Sequence, residues 1–233
     1  IDLVNRKAVD ISKVKTVILD EADEMLSMGF KKELDEILGF LPEAQSKWLF
    51  SATMPQGNKQ IVNEHMSTTA HRITVSGSNV VNAKIEHKFV HCEDTEKFHV
   101  LLQFLNSVKG QRGIVFCRTR NTAKKVAAQL IAKNVAADAI HGDLLQKERD
   151  KVMRAFKNEN LSIIVATDIA ARGIDVADLT FVVHFQLPDQ DEYYTHRSGR
   201  TARAGKEGIS LVLANGYDVR TIREYEKNLK ISF

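Results

Sequence analysis

Apolar residues recur along the chain in two rhythms. Short β-branched and aliphatic runs predict strands at 16–20 (Thr16-Val-Ile-Leu-Asp20), 48–50, 72–75, 85–92, 113–117, 137–140, 162–166, 180–185 and 208–213. Between them the apolar positions recur near a 3.6-residue period. This predicts helices over 23–41, 56–66 (after Pro55), 95–108, 121–133, 146–157, 190–197 and 217–229. Met25, Leu26, Phe30, Leu34, Ile37, Leu38 and Leu41 form the stripe of the first helix. Repeated strand–helix units predict an α/β fold with parallel sheets covered by helices on both faces. The alternation breaks once. Ser76-Gly-Ser-Asn79, with Asn82 soon after, is small, polar and aperiodic, so it reads as a linker. The expected organisation is a first domain at 1–77, a linker at 78–83 and a second domain at 84–233, with no internal repeat.

Composition narrows the class. Hydrophobic residues make up 43% and charged residues 27% of the 233 positions, which excludes a disordered chain. No apolar run approaches the roughly 20 residues of a membrane span, so no membrane partner is expected. Two cysteines, Cys92 and Cys117, are too few for a disulfide framework and suit a reducing cytoplasm. Residues 1–77 hold 9 Lys+Arg against 11 Asp+Glu, and residues 78–233 hold 24 against 19. The mildly basic second part permits a polyanionic partner without demanding one. The chain opens on Ile1 with no basic and apolar leader behind it, and it reads as starting inside a longer protein.

Four segments carry candidate chemistry. Val17-Ile-Leu-Asp20-Glu21-Ala22-Asp23 is an apolar strand ending in carboxylates, at the edge where open α/β sheets bind ligands. An Asp there can hold Mg²⁺ and a neighbouring Glu can activate water, although acids also simply favour a helix N-terminus. Ser51-Ala52-Thr53, at the end of the next strand, offers two hydroxyls to Asp23, or else a helix cap. Thr167-Asp168-Ile-Ala-Ala-Arg-Gly173-Ile-Asp175 follows a buried strand, and Thr167 can donate to a phosphate while Asp175 accepts from a ribose hydroxyl. His196-Arg197-Ser-Gly-Arg200-Thr-Ala-Arg203 spaces three arginines by three, on nearly one helical face. Like charges stacked this way are best tolerated opposite an anion, so phosphate recognition is the favoured reading.

Taken together and in order, these segments resemble the later motifs of DEAD-box RNA helicases. The others in the set are Ile114-Val-Phe-Cys-Arg-Thr119, His141-Gly-Asp143 and Gln146-Lys-Glu-Arg149. Each is weak alone, but the ordered set is specific and spans about residues 3 to 213. The resemblance implies two RecA-like lobes with ATP and RNA bound across their cleft. It implies Mg²⁺ and water activation at Asp20 and Glu21. Coupling falls to Asp23, Ser51 and Thr53, nucleotide contacts to Gly173 and Asp175 (the latter on the ribose), and arginine fingers to Arg200 and Arg203. Thr119, Arg149 and Thr167 fall at RNA sugar–phosphate contacts. Gln146 joins that RNA set, and with His196 it matches positions that help close the lobes. Backbone contacts imply binding largely independent of RNA sequence. Protein cofactors are left open.

Departures from the pattern matter too. Ala202 stands where the family commonly has glycine, a small change on a helix. The tail from Leu213 does not resemble the family closely. His87 and His91 are four apart beside Cys92, but on a strand they lie about 13 Å apart, too far for one metal. Cys117 ends a core strand and reads as packing. The only Gly-Lys pair is Gly205-Lys206, followed by Glu207, so the chain carries no Gly-x-x-x-x-Gly-Lys-Ser/Thr phosphate loop. An RNA helicase segment, a non-hydrolysing RNA- or protein-binding module and, more distantly, a DNA translocase remain as readings. Phosphoryl transfer depends on positioned phosphates. The purified chain with RNA and Mg²⁺ is therefore expected to release no phosphate from ATP above background. RNA-stimulated turnover near about 1 per second would overturn this.

Overall fold

The computed structural model describes residues 1–41, 46–51, 56–74, 81–171 and 179–233. The chain divides into two compact units, Ile1–Val75 and Ser76–Phe233.

In the first unit a short helix α1 (Asp2–Asn5) precedes strand β1 (Thr16–Leu19), helices α2 (Ala22–Ser27) and α3 (Lys31–Gly39), strand β2 (Ser46–Leu49) and helix α4 (Gln56–His65). β1 and β2 pair in parallel, with Thr16 opposite Ser46 and Leu19 opposite Leu49. Val17 and Leu19 point into a cluster with Leu34, Leu38, Leu41 and Ile61. The opposite face shows Ile18, Trp48 and Phe50 about half or more exposed, with the Trp48 and Phe50 rings stacked.

Two expectations need correction here. The helix expected over 23–41 is two helices. Gly29 adopts φ +81°, its N–H donates to Leu26 O, and Phe30 N–H donates to Met25 O. That paired pattern on a left-handed glycine terminates a helix and reorients the chain. The strand expected over 72–75 is absent at 72–74, where Ile73 is 85% exposed and no strand among the described residues pairs with it; Val75 lies outside the described residues.

The second unit runs β3 (Ile85–His91), α5 (Lys97–Ser107), β4 (Gly113–Phe116), α6 (Arg120–Ala132), β5 (Ala137–Ile140), α7 (Gln146–Lys157), β6 (Ile163–Ala166), α8 (Asp168–Ala171), β7 (Phe181–His184), α9 (Asp191–Ser198), a 3₁₀ turn (Arg203–Gly205), β8 (Gly208–Ala214) and α10 (Asp218–Leu229). Six strands form one parallel sheet in the order β3-β8-β7-β4-β6-β5. The fold is α/β, as expected. All four residues of β4, β6 and β7 are buried, which is why β4 and β6 read as unbroken apolar runs and β7 as one that ends in His184. Leu101, Leu105, Val126 and Leu130 from α5 and α6 cover one face over Val115, Val165 and Val183. Val152 and Phe156 of α7 cover the other over Ile114, Phe116 and Ile164, and Tyr194, Ile222 and Tyr225 continue that layer over Val212. Of the expected linker, 78–80 lie outside the described residues. Val81 is buried in the second unit, where Asn82 Nδ2 donates to Ala202 O at 2.8 Å.

A two-stranded sheet with one solvated apolar face opens more easily than strands buried on both faces. Amides of Thr16–Leu19 and Ser46–Leu49 are thus expected to exchange with deuterium well before those of Gly113–Phe116 and Ile163–Ala166. Equal protection, read by mass spectrometry on peptic peptides, would contradict this.

Candidate functional site

In the first unit the candidate site begins where β1 ends. Asp20 and Glu21 are exposed at its carboxyl end, and the Asp20 carboxylate accepts Glu21 N–H at 2.9 Å. Glu21 caps α2 from the left-handed region, φ 52° and ψ 44°. That conformation is uncommon for a residue with a Cβ, and such strain concentrates at ligand-handling turns. Phe50 N–H donates to Leu19 O at 2.7 Å and Ala22 N–H to Phe50 O at 3.1 Å. These bonds hold the Asp20–Asp23 turn against the end of β2, beside Ser51. Asp23 is buried and accepts Glu24 N–H at 3.1 Å. Thr53 lies outside the described residues. Exposed carboxylate oxygens at a strand end suit a hard, hydrated cation such as Mg²⁺, which takes one or two carboxylates and keeps several waters.

In the second unit, the turns after β4, β6 and β5 leave the same edge of the sheet, because the strands are parallel neighbours. The turn after β4 carries Thr119, which caps α6 by accepting Thr122 N–H at 3.1 Å. The one after β6 carries Thr167, whose carbonyl accepts Ala171 N–H at 2.9 Å in the first turn of α8. The one after β5 carries His141, Asp143 and then α7, which opens on Gln146 and Arg149. The Gln146 amide donates to Asp150 at 2.8 Å. Asp143 pairs with Arg120 and with Lys124, the latter at 2.8 Å, and the Lys124 bond leads in holding its carboxyl below the usual range. Gly173 and Asp175 lie outside the described residues.

The arginine segment is not one helical face. Helix α9 ends at Ser198, and Ala202 turns into the left-handed region at φ 56°, ψ 33°. Ala202 therefore does not lie on a helix, and its position is one where a glycine would be free of Cβ strain. Arg197 faces inward and is 2% exposed. It grips Asp168 with two nitrogens at 2.6 and 2.8 Å, donates to Gln186 O at 2.8 Å and lies 5.2 Å over the Phe116 ring. Phosphate recognition by Arg197, expected from the spacing, is corrected: its fork is spent on Asp168. Arg203 Nε donates to Gly199 O at 3.0 Å, while Arg200 and His196 lie around the end of α9. Gly208 lets this loop close. A Cβ there would sit 2.1 Å from Thr201 Oγ1, which donates to Leu179 O at 2.6 Å.

Asp168 and Arg118 were not singled out by sequence reasoning. Arg118 ties the end of β4 to the turn after β7 through Gln186, Leu187 and Asp189. A signal for Arg197 existed. Tyr194, Arg197 and Ser198 are buried together at i, i+3, i+4 on the inner stripe of α9. Burial pushes the Cys117 thiol up to about 12, consistent with packing rather than nucleophilic use. His87 is buried on β3 and bonded to Tyr194 OH at 2.6 Å, whereas His91 is exposed, so the two share no metal site.

The profile of the DEAD/DEAH box helicases matches residues 1–61, and that of the helicase conserved C-terminal domain matches 96–205. The DEAD-box ATP-dependent RNA helicase CshA of Bacillus cereus is 38% identical over 99% of this chain and 44% of its own length. The chain thus spans less than half the length of such curated relatives. A DEAD box protein from the hyperthermophile Methanococcus jannaschii is 39% identical, with TM-score 0.62, over 99% of this chain and 62% of that one. Saccharomyces cerevisiae Dbp5 bound to RNA and ADP BeF3 is 28% identical, with TM-score 0.87, over 97% of this chain and 60% of that one.

Removing one partner of a buried ion pair strands the other charge. Asp168→Ala is expected to lower the stability of the second unit by about 3 kcal/mol, and pairing it with Arg197→Met should recover much of the loss. Urea unfolding followed by far-ultraviolet circular dichroism measures both, and an unchanged midpoint in Asp168→Ala would mean the pair stabilises nothing.

Proposed function

Since the chain belongs to the DEAD-box family of helicases, we propose that it works as the part of an ATP-dependent RNA helicase that couples nucleotide state to RNA binding and local duplex opening. The observation that carries this reading is the common edge in the second unit. There the turns after three neighbouring strands present Thr119, Thr167 and the Gln146–Arg149 start of α7. Side-chain hydroxyls and cations spaced along one edge suit a sugar–phosphate strand and read no bases, so we assign RNA binding that is largely independent of sequence.

On the nucleotide side, Asp20 would hold Mg²⁺, and Glu21 would orient and deprotonate water from the neighbouring position. The bound cation would supply neutralisation of charge on the phosphate oxygens. Arg200 and Arg203 are assigned to the γ-phosphate. Asp23, Ser51 and Thr53 are assigned to coupling, Gly173 and Asp175 to nucleotide contacts, and His196 with Gln146 to closure. As domain bounds we retain 1–77 and 84–233. Both thiols are buried and free, which suits a reducing compartment, and we assign the protein to the cytoplasm. A second reading is a non-hydrolysing RNA- or protein-binding module, since the shared turn edge could hold a strand without nucleotide turnover.

The test separates the two ligands. In this chain, Arg149→Ala is expected to weaken RNA binding and reduce the salt slope of its affinity by about one, while Arg200→Ala and Arg203→Ala change nucleotide-free RNA affinity little. In a chimera joining the chain to the upstream ATP-binding segment of a relative, Arg200→Ala or Arg203→Ala should lower turnover by about 10³. If Arg200→Ala loses RNA affinity as severely as Arg149→Ala, with normal turnover at saturating RNA, the assignment fails.

A further inference from the structure

Away from these turns, the first unit brings together three side chains with no local sequence motif: Asp35 from α3, and Glu64 and His65 from the last turn of α4. One ligand atom from each lies within 4.8 Å of the other two. His65 Nε2 is 2.7 Å from Asp35 Oδ1. A cation already fills the gap between the carboxylates. The Lys31 ammonium bonds Asp35 Oδ2 and Glu64 Oε2 at 3.0 Å each. The hydrogen bond from His65 and then that from Lys31 hold the Asp35 carboxyl below the usual carboxylate range.

Several features favour a metal over the ammonium. Two carboxylates and an imidazole form a mixed oxygen–nitrogen set, which suits Zn²⁺ and related ions better than Mg²⁺. Zinc bonds of about 2.0–2.2 Å place tetrahedral donors roughly 3.5 Å apart, so the widest pair here must close and the 2.7 Å His65–Asp35 contact must open; all three side chains have room to rotate, being 21% to 50% exposed. The site also lies at the carboxyl end of α4, where the helix dipole attracts a cation. Against it stand Lys31 and, one step further out, Lys47, whose ammonium donates to His65 O at 3.0 Å. Lys31 is half-exposed and its two surface ion pairs are individually weak, so the long side chain can swing into water.

We propose that Asp35, Glu64 and His65 form a three-ligand site for a zinc-class divalent cation, open at its fourth position to water, with the Lys31 ammonium as the resident competitor. Occupied, it clamps α3 to α4. This reading is independent of the helicase assignment.

The untagged full chain, titrated with ZnCl₂ in a calorimeter and followed by the imidazole nitrogen resonances of His65, tests it. One equivalent is expected to bind, with Nε2 of His65 moving to the shift of a metal-bound nitrogen. Excess MgCl₂ should not displace it. His65→Ala is expected to weaken binding by about tenfold or more, and Lys31→Met to tighten it severalfold by removing the competitor. Should His65→Ala not fold, Asp35→Asn and the wild-type resonance decide the matter. Equal zinc affinity in wild type and His65→Ala, an unmoved His65 resonance, or weaker binding in Lys31→Met would overturn the proposal.

Discussion

Parallel pairing in the second unit governs nearly everything else about it. Two parallel strands cannot be joined by a tight turn, so each must return through a crossover long enough to hold a helix. α5, α6 and α7 occupy such crossovers and seal both faces of the sheet. With both faces sealed, β4, β6 and β7 carry no polar alternation, and their backbone groups are satisfied only by the ladders. Apart from a buried polar cluster around His184 and Ser210, the polar and charged chemistry is displaced to the turns. Because the strands run the same way, the turns after β4, β6 and β5 emerge together. A shared ligand edge is a geometric result of this connectivity rather than an addition to it.

Helix α9 is held to that sheet differently, by polar groups inside the core. Arg197 grips Asp168. Deeper in, Tyr194 OH meets His87 Nδ1 at 2.6 Å, Ser198 Oγ meets Ser210 Oγ at 2.8 Å, and Ser210 Oγ meets His184 Nε2 at 3.0 Å. The His184 and Tyr194 rings stack at 4.7 Å. Burial, reinforced by the Arg197 charge, lowers His184 far below the usual histidine range, and burial brings His87 down to about 4, so both rings stay neutral near pH 7. His184 Nδ1 finds no hydrogen-bond partner among the described residues. In such a network each hydrogen bond constrains the geometry of the next. The network therefore fixes how α9 sits, and with it where the chain carrying Arg200 and Arg203 leaves the helix.

The architecture was legible in the sequence wherever one face or both faces of an element are buried. Ile163-Ile164-Val165-Ala166 has no reading but a buried strand once its length is set beside its neighbours. Asp20 and Glu21 were legible as a site because acids follow an apolar strand directly. Gly29 was overlooked because seven apolar residues keep helical spacing on both sides of it, and a single glycine does not outweigh that pattern until its positive φ is seen. The reading of Arg197, Arg200 and Arg203 as one face failed for the opposite reason. Their spacing is helical, but the helix stops at Ser198, and the partner of Arg197 lies 29 residues earlier in the chain. Contacts made in three dimensions, such as Asp35 with His65, leave no periodic trace at all.

The order of strands carries a consequence for how the chain comes into being. β8 lies between β3 and β7, and Ile85 of β3 pairs with Gly208 of β8. During synthesis from the amino end, β4, β5, β6 and β7 can assemble as they appear, whereas β3, though made before all of them, has no partner until the last strand is complete. Its edge must wait unpaired through more than a hundred residues of elongation, a long-range closure of the kind that slows folding and exposes strands to wrong partners. The charged residues Glu86 and Lys88, alternating along that strand and both exposed, are well suited to keep it solvated until then.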